Sequence, residues 1–244
     1  LGADEAQKAG VDAEHIRIGI DTKSWRMRTE EEYKAVRSRL GYKDDDFVIL
    51  TVADNQERKN LSRGMEIISE LKKRHGVKVK HILVTRENSQ IGWKLYDLAM
   101  RLGFSPDLRV FNVGIPFADL YALYACSDVY LSASKGEGLG LPIMEAMSCG
   151  VPVVANAVGA IPELLEDRRG FIVEPDYAMI DPFGNQNRYS MSISAATHAL
   201  KYVNERKEDL RSVIVKAREY AESRTWDIPA KQIENAIMKI LEKQ

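Results

Sequence analysis

Glycines and glutamates are concentrated in one segment of the chain, residues 134–147, which reads SKGEGLGLPIMEAM. Its glycines, among them Gly138 and Gly140, let the backbone approach a ligand closely and adopt conformations that a Cβ atom forbids. Glu137 and Glu145 are eight residues apart, and carboxylates are good hydrogen-bond acceptors for the hydroxyl groups of a ribose or a hexose. The segment therefore predicts a site for a polar ligand that carries hydroxyl groups.

The same segment predicts the start of a helix and a place for an anion. Pro142 suits the first helical turn, because the N–H group that proline lacks has no intrahelical partner there. The N–H groups of residues 139–143 then lie beside the positive end of the helix dipole. We expect Glu145 in this first turn as well, where a carboxylate stabilises a helix by about 0.3–1 kcal/mol without any ligand. A tight structural turn also explains the glycines, so the spacing favours a ligand site but leaves both interpretations open.

Five short apolar runs predict the strands that position this segment. They are rich in β-branched residues and bounded by Gly, Asp or Pro, and they span residues 47–53, 79–85, 108–112, 129–133 and 151–155. Near-continuous apolarity is typical of a parallel sheet that is covered on both faces. Helical spacing of apolar residues lies between the runs, at 60–75, 91–102 and 118–126. This alternation predicts an α/β fold, a Rossmann-like doubly wound parallel sheet with helices on both faces.

Further elements are predicted before and after the sheet. Thr29 and Glu32 form the pattern of a capping box, which predicts a helix from there to about residue 40. The polar stretch 175–190 predicts a long surface loop, and helices are predicted at 192–204, 207–223 and 229–243. Ligands of doubly wound sheets bind outside the carboxyl ends of the strands, and the glycine-rich segment directly follows the fourth predicted strand.

Composition and charge argue against several classes of function. The 35 Lys and Arg residues against 36 Asp and Glu give a net charge of −1, which argues against a nucleic-acid partner. Cys126 and Cys149 cannot form a disulfide framework, and the four histidines lack the spacing of zinc ligands. No apolar run approaches the ~18–20 residues of a transmembrane segment. We therefore expect a cytoplasmic protein without a metal site or a transmembrane segment.

The stretch 134–155, SKGEGLGLPIMEAMSCGVPVVA, resembles the signature of the group 1 (family 4) retaining glycosyltransferases. The resemblance lies in the two glutamates separated by seven residues and in the EAMxxGxPVVA pattern that follows. Shorter matches in family order cover about residue 16 to the C-terminus, at 18–22, 58–60, 113–114, 125–129, 159–163, 170–171 and Trp226. These enzymes have a two-domain GT-B fold and transfer a sugar from a nucleotide-sugar donor. The part that this chain resembles is the C-terminal, donor-binding half.

The resemblance implies a role for each candidate residue. Glu145 would hold the ribose of the nucleotide, and Glu137 would hold hydroxyl groups of the donor sugar. Lys59, which with Glu137 would form the catalytic pair, would neutralise the diphosphate beside Arg58. Four loop residues would meet the sugar or its phosphates through their backbone: Gly138, Leu139, Gly140 and Leu141.

The backbone around Val113 and Ile115 would lie beside the nucleobase. A cation together with preorganised amides meets the charge of a diphosphate leaving group, so we expect no metal ion and no cofactor apart from the nucleotide-sugar co-substrate. The resemblance thus implies metal-independent, retaining hexosyl transfer to an unknown acceptor. It also implies that the acceptor-binding N-terminal domain is missing and that this chain alone turns over poorly. The full-length enzyme would be cytoplasmic or peripheral at the membrane.

One departure from the family keeps other functions open. The family usually has a Gly-Arg pair after the first strand, whereas residues 53–57 read ADNQE, so Arg58 substitutes only if its side chain turns inward. The alternative is a catalytically silent nucleotide-binding or interaction module with the same fold. A dinucleotide-dependent dehydrogenase comes third, because no glycine-rich fingerprint follows the first strand. The predicted organisation is an N-terminal or linker segment at 1–28, a Rossmann-like nucleotide-sugar-binding domain at 29–225 and a C-terminal helix at 226–244.

Overall fold

Six strands form one parallel sheet in the computed structural model, which describes residues 6–11, 16, 18–181 and 186–242. The strands are β1 (Phe47–Val52), β2 (Val79–Thr85), β3 (Leu108–Asn112), β4 (Val129–Ser132), β5 (Val153–Asn156) and β6 (Phe171–Val173). Their order across the sheet is β3-β2-β1-β4-β5-β6. The order reverses between β1 and β4, and a ligand crevice forms at the carboxyl ends of strands where such a reversal occurs.

Helices cover both faces of this sheet. Those described are α1 (Glu30–Leu40), α2 (Leu61–His75), α3 (Leu95–Leu102), α4 (Phe117–Ala125), α5 (Leu141–Ser148), α6 (Ile161–Leu165), α7 (Ile193–Glu205), α8 (Arg211–Glu222) and α9 (Asp227–Leu241). Short 3-10 turns lie at Glu57–Lys59, Ser105–Asp107 and Lys207–Leu210. The predicted Rossmann-like, doubly wound α/β fold is therefore confirmed.

The alternation of side chains along each strand divides the core into two clusters. Val48 and Leu50 of β1 pack in the cluster formed with α4, α5, α6 and α8. Phe47 and Ile49 point to the opposite face, where they pack in the cluster formed with α2, α3 and α7. Burial on both sides explains why β1 is an unbroken apolar run, since a solvent-facing side would need polar residues at every second position.

Helix ends follow the sequence signals in the way their chemistry requires. The Glu32 amide donates to Thr29 Oγ1 at 3.2 Å, and the Thr29 amide donates to Glu32 Oε2 at 3.0 Å, so the capping box at the start of α1 is present. The helix ends at Gly41, whose φ of 73° lies in the left-handed region that favours glycine. Both cysteines are buried free thiols, consistent with a packing role.

The structure corrects four expectations. The stretch 175–190 is a β-hairpin rather than a loop, formed by β7 (Pro175–Ile180) and β8 (Asn187–Met191); residues 182–185 lie outside the described part. A sixth strand, β6, extends the five predicted. The helix predicted at 207–223 begins as a 3-10 turn before α8. Glu145 is the fifth residue of α5 and so lies beyond the first turn.

Candidate functional site

Two loops meet at the point where the strand order reverses. The first leaves β1 and contains the 3-10 turn Glu57–Lys59; the second leaves β4 and leads through residues 133–140 into α5. Because β1 and β4 are parallel neighbours, both loops emerge at the same edge of the sheet. The second is the glycine-rich segment that the sequence marks, so the structure places it at the ligand crevice of the fold.

Lys59 and Glu137 come together across this crevice although 78 positions separate them. Lys59 Nζ donates to Glu137 Oε2 at 2.6 Å, and the two side chains are only 16% and 14% exposed. Arg58 turns towards the same loop, where its Nη1 donates to the Gly136 carbonyl at 2.6 Å and lies 3.7 Å from Glu137 Oε2. The side chain of Arg58 therefore turns inward, which is the condition for it to take the place of the arginine that the family usually has after the first strand. Among these three side chains, the two cations Lys59 and Arg58 exceed the one carboxylate, that of Glu137, by one positive charge.

Backbone contacts fasten the two loops to each other. The Lys135 amide donates to the Arg58 carbonyl at 2.8 Å, and the Lys135 ammonium forms an ion pair with Glu57. Ser134 Oγ lies 3.0 Å from the Gly136 carbonyl and 3.3 Å from that of Arg58. Such short, partly buried contacts fix the loop geometry before any ligand arrives, which lowers the entropic cost of binding.

Two glycines shape the turn around Glu137. Gly140 precedes α5 with a φ of 83°, a conformation that a residue with a side chain rarely adopts. A Cβ atom at Gly159 would lie 1.9 Å from the Glu137 carbonyl oxygen. The next amide, that of Ala160, donates to the same oxygen at 3.2 Å. The loop after β5 therefore packs directly on the backbone of Glu137, and only glycine fits at the contact.

Four consecutive amides in this loop have no hydrogen-bond acceptor in the described part of the chain. Within the described residues, the N–H groups of Gly138, Leu139, Gly140 and Leu141 donate to no other group. Gly138 is exposed, with open space where a side chain would be, and Leu141 is 41% exposed. These amides lie at or before the N-terminus of α5, where unpaired N–H groups and the helix dipole together attract an anion.

Glu145 is held by a buried tyrosine. Tyr124 Oη donates to Glu145 Oε2 at 2.7 Å and lies 3.3 Å from the Pro142 carbonyl. Burial raises the pKa of the Glu145 carboxyl, and the hydrogen bond from Tyr124 lowers it in part. Burial, followed by the charges of Glu145 and Glu137, raises the pKa of Tyr130. The carboxylates of Glu145 and Glu137 are therefore both close enough to Tyr130 to raise its pKa.

The remaining candidates lie further along the same edge. The cleft between the two loops is lined by Lys59, Glu137 and Gly140, but Glu145, Val113 and Ile115 do not line it. Val113 and Ile115 follow β3, which is separated from β1 by β2. Val113 is 51% exposed, whereas Ile115 packs partly on the first core cluster. Together these residues lie along the carboxyl edge from β3 to β4.

Sequence reasoning missed two residues of this site. Tyr124 lies in an apolar stretch of α4, where an aromatic residue is ordinarily part of the core, and its sequence gives no sign of the hydrogen bond. Asn156 ends β5 and is fully buried; its Nδ2 donates to the Ser134 carbonyl at 2.9 Å. The available signal was an asparagine at the carboxyl end of a buried strand, because a buried side-chain amide requires a hydrogen-bond partner.

The described part of the chain contains neither a cluster of metal ligands nor a helix that could span a membrane. No group of three or more His, Cys, Asp and Glu side chains is arranged there to hold a metal ion. None of the helices described has the length and apolar character that crossing a bilayer requires.

The sequence model of the family Glycosyl transferases group 1 matches residues 46–181, more than half of the chain. The chain belongs to the group 1 glycosyltransferases. The matched region contains both site loops, all strands from β1 to β6, and α5 with Glu145. The family predicted from the 134–155 signature is thus confirmed.

Relatives of this group 1 glycosyltransferase domain include several bacterial mannosyltransferases. It is 40% identical over 84 residues to O-antigen chain mannosyltransferase B of Escherichia coli, a match that covers 34% of this chain and 21% of the relative. It is 26% identical over 173 residues to the GDP-mannose-dependent monoacylated alpha-(1-6)-phosphatidylinositol monomannoside mannosyltransferase of Corynebacterium glutamicum, covering 66% and 42% respectively. The domain therefore spans between a fifth and about two fifths of the length of these relatives.

Solved glycosyltransferase structures share the fold at low sequence identity. A glycosyltransferase from Rickettsia africae superposes with a TM-score of 0.81 at 17% identity, over 100% of this chain and 62% of its own. HepE of Anabaena in complex with UDP-glucose superposes with a TM-score of 0.76 at 22% identity, over 96% and 60%. These matches support the Rossmann-like architecture of GT-B glycosyltransferases.

Proposed function

We propose that this domain binds a nucleotide-sugar donor for retaining, metal-independent transfer of a hexosyl group. The observation that carries the proposal is the Lys59–Glu137 contact of 2.6 Å, beside four unpaired amides at the start of α5. A lysine and a row of amides suit a diphosphate, and carboxylates suit sugar hydroxyl groups. The family membership and the UDP-glucose bound by HepE agree with this ligand class.

Each residue has a distinct part in the proposed complex. The diphosphate lies between Lys59 and the amides of residues 138–141, with Arg58 adding a second positive charge. Glu137 accepts hydrogen bonds from the donor sugar, and Glu145 accepts them from the ribose. The backbone at Val113 and Ile115 lies beside the base. Because Lys59 Nζ donates to Glu137 at 2.6 Å, the diphosphate has to share that lysine with the carboxylate.

The proposed reaction breaks the bond between the anomeric carbon and the diphosphate oxygen. The electron pair leaves with the nucleoside diphosphate, and Lys59 and the loop amides stabilise the growing negative charge. The sugar becomes oxocarbenium-like, and the acceptor hydroxyl attacks the face from which the diphosphate departs, so that the configuration is retained. The proton of the acceptor hydroxyl passes to an oxygen of the departing diphosphate. We assign no general base within this domain. A second, acceptor-binding domain completes the cleft, and this domain alone is expected to turn over poorly.

Calorimetric titration with UDP, GDP and ADP tests the proposal, using the wild-type chain and a Lys59→Met variant. One of the three nucleotides should bind, and Lys59→Met should weaken it about 10- to 100-fold, the value of a charge-assisted hydrogen bond. The matched control is Lys80→Met, because Lys80 also donates to a carboxylate at 2.6 Å, that of Asp107, but lies near the start of β2. Adding EDTA should leave the affinity unchanged.

Four results count against separate parts of the proposal. The absence of heat and of a thermal shift with all three nucleotides refutes donor binding. Equal losses in Lys59→Met and Lys80→Met refute the assigned diphosphate position. Rapid consumption of UDP-glucose or GDP-mannose by this chain alone refutes the need for a second domain. Nucleotide binding without turnover in a reconstituted two-domain enzyme refutes the transfer reaction and favours the catalytically silent module.

A further inference from the structure

The β7–β8 hairpin has no role in the proposed site, yet it contacts the loop that carries Glu137. The Tyr189 amide of β8 donates to the Lys135 carbonyl at 3.3 Å. Asn156 Nδ2 donates to two carbonyls at 2.9 Å each, that of Ser134 in the loop and that of Tyr189 in the hairpin. One buried amide therefore ties the hairpin and the loop to the end of β5.

Arg188 of the hairpin lies against the loop one residue further on. A Cβ atom at Gly136 would come within 2.9 Å of Arg188 Nη1, so the guanidinium lies against the backbone of this glycine. Asp181 orients Arg188 by accepting a hydrogen bond from its Nε at 2.9 Å and by forming an ion pair with its Nη2 at 2.8 Å. Arg58 donates to the carbonyl of the same glycine. Gly136, the residue before Glu137, is thus held between two guanidinium groups.

The hairpin is itself anchored to the helix that follows the β1 loop. Arg63 of α2 donates from Nε to Ser190 Oγ at 3.0 Å and from Nη2 to Tyr177 Oη at 3.1 Å. The Glu137 loop therefore lies between the β1 loop and a hairpin that is fixed to α2. A rigid support of this kind can keep a carboxylate within the fraction of an ångström that a binding site needs.

We propose that Arg188 and Asn156 are positioning residues, which hold the loop 134–137 so that Glu137 meets the donor sugar. This inference rests on the proposed function, because it takes Glu137 to be the residue that contacts the sugar. The nucleoside diphosphate is bound mainly by other groups, Lys59, Glu145 and the amides 138–141. Loosening the loop should therefore reduce the affinity for a nucleotide sugar more than the affinity for its nucleotide.

The first test compares Arg188→Ala with wild type in titrations of UDP and UDP-glucose, or of GDP and GDP-mannose if the domain binds guanosine nucleotides. The variant should weaken the nucleotide sugar about tenfold and the nucleotide less than about twofold. Arg188→Lys, which keeps the charge opposite Asp181, should recover part of the loss. The control is Ile180→Thr, at a hairpin residue that is 69% exposed.

The second test follows the loop without any ligand. Amide hydrogen exchange in the loop 134–137, where the Lys135 amide donates to the Arg58 carbonyl, should accelerate in Arg188→Ala and in Asn156→Ala but not in Ile180→Thr. If Arg188→Ala folds poorly, the double variant Arg188→Met/Asp181→Asn removes both charges of the ion pair and takes its place. Unchanged exchange in this loop, or equal losses for nucleotide and nucleotide sugar, overturns the inference. If wild type binds no nucleotide, the proposed function fails and hydrogen exchange alone decides whether the loop is held.

Discussion

The hydrogen bond from Tyr124 to Glu145 gives the sharpest prediction, through the substitution Tyr124→Phe. Tyr124 is fully buried and packs against Trp25 and Tyr130, with ring centroids 5.2 Å and 6.1 Å away, and phenylalanine keeps these contacts. The change therefore removes mainly the 2.7 Å bond to Glu145 Oε2. A hydrogen bond to a charged group is worth about 1.5–3 kcal/mol, and 1.36 kcal/mol corresponds to one pKa unit. The pKa of Glu145, already raised by burial, should therefore rise further when this hydrogen bond is lost.

The sign of the pH dependence follows from this rise. A native carboxyl whose pKa lies above its ordinary value of 4.5 binds more protons than the unfolded chain in the window between the two values. Stability therefore falls as the pH increases through that window, and Tyr124→Phe extends the window upward. The loss of unfolding free energy caused by Tyr124→Phe should be about 1 kcal/mol at pH 4, below this window, and should grow to about 2–3 kcal/mol as the pH rises through it.

Urea denaturation between pH 4 and pH 8 measures this difference. The matched control is Tyr130→Phe, since Tyr130 Oη donates at 3.1 Å to a backbone carbonyl, that of Val52, and its loss should cost the same at every pH. Nucleotide affinity should also decline on acidification, and the decline should begin at a higher pH in Tyr124→Phe than in wild type. A stability loss that is independent of pH in Tyr124→Phe would refute the role assigned to this hydrogen bond.

Two further predictions concern backbone fit and a buried ion pair. Gly159→Ala should destabilise the fold and weaken nucleotide-sugar binding, because its Cβ would lie 1.9 Å from the Glu137 carbonyl oxygen. The control Gly41→Ala has a similar positive φ but open space around the new Cβ, so it should cost only the ~1–2 kcal/mol of the left-handed conformation. Equal losses of the two variants in thermal denaturation would contradict this prediction. Arg37→Met should lower the free energy of unfolding by about 3–5 kcal/mol, because Arg37 and Asp128 form a 3.0 Å ion pair with side chains 4% and 7% exposed. In chemical denaturation, the double variant Arg37→Met/Asp128→Asn should lose less unfolding free energy than the sum of the losses of the two single variants. A loss below about 1 kcal/mol in Arg37→Met would contradict the stabilising role of this ion pair.

Much of the sheet was predictable because strands that are buried on both faces need continuous runs of apolar residues. The runs at 79–85 and 108–112 coincide with β2 and β3, and the other predicted strands differ from the structure by one or two residues at an end. The hairpin could not be found in this way. Residues 177–180 of β7 read YAMI, an apolar run too short to distinguish a strand, and all but the first residue of β7 are exposed, so burial on both faces does not lengthen that run. The strand β6 has only three residues, too few to show a period.

The site was predictable to the extent that one loop carries it. The glycines and Glu137 lie in a single recognisable segment, and family resemblance added Lys59 from 78 positions away. Contacts made by a buried side chain with a distant backbone leave no such pattern. Asn156 joins the carbonyls of Ser134 and Tyr189, which lie 22 and 33 positions away, and nothing in the spacing of these three residues indicates the network. Tertiary packing alone brings them together.

The most direct measurement is a crystal structure of this domain with the nucleoside diphosphate that binds it, or with its nucleotide sugar. We expect the phosphates to lie between Lys59 Nζ and the amides of residues 138–141, and the ribose hydroxyl groups to donate to Glu145. With the nucleotide sugar, Glu137 should accept hydrogen bonds from the hexose. A nucleotide bound away from the carboxyl ends of β1 and β4, or bound there without contact to Lys59 and Glu145, would contradict the central claim.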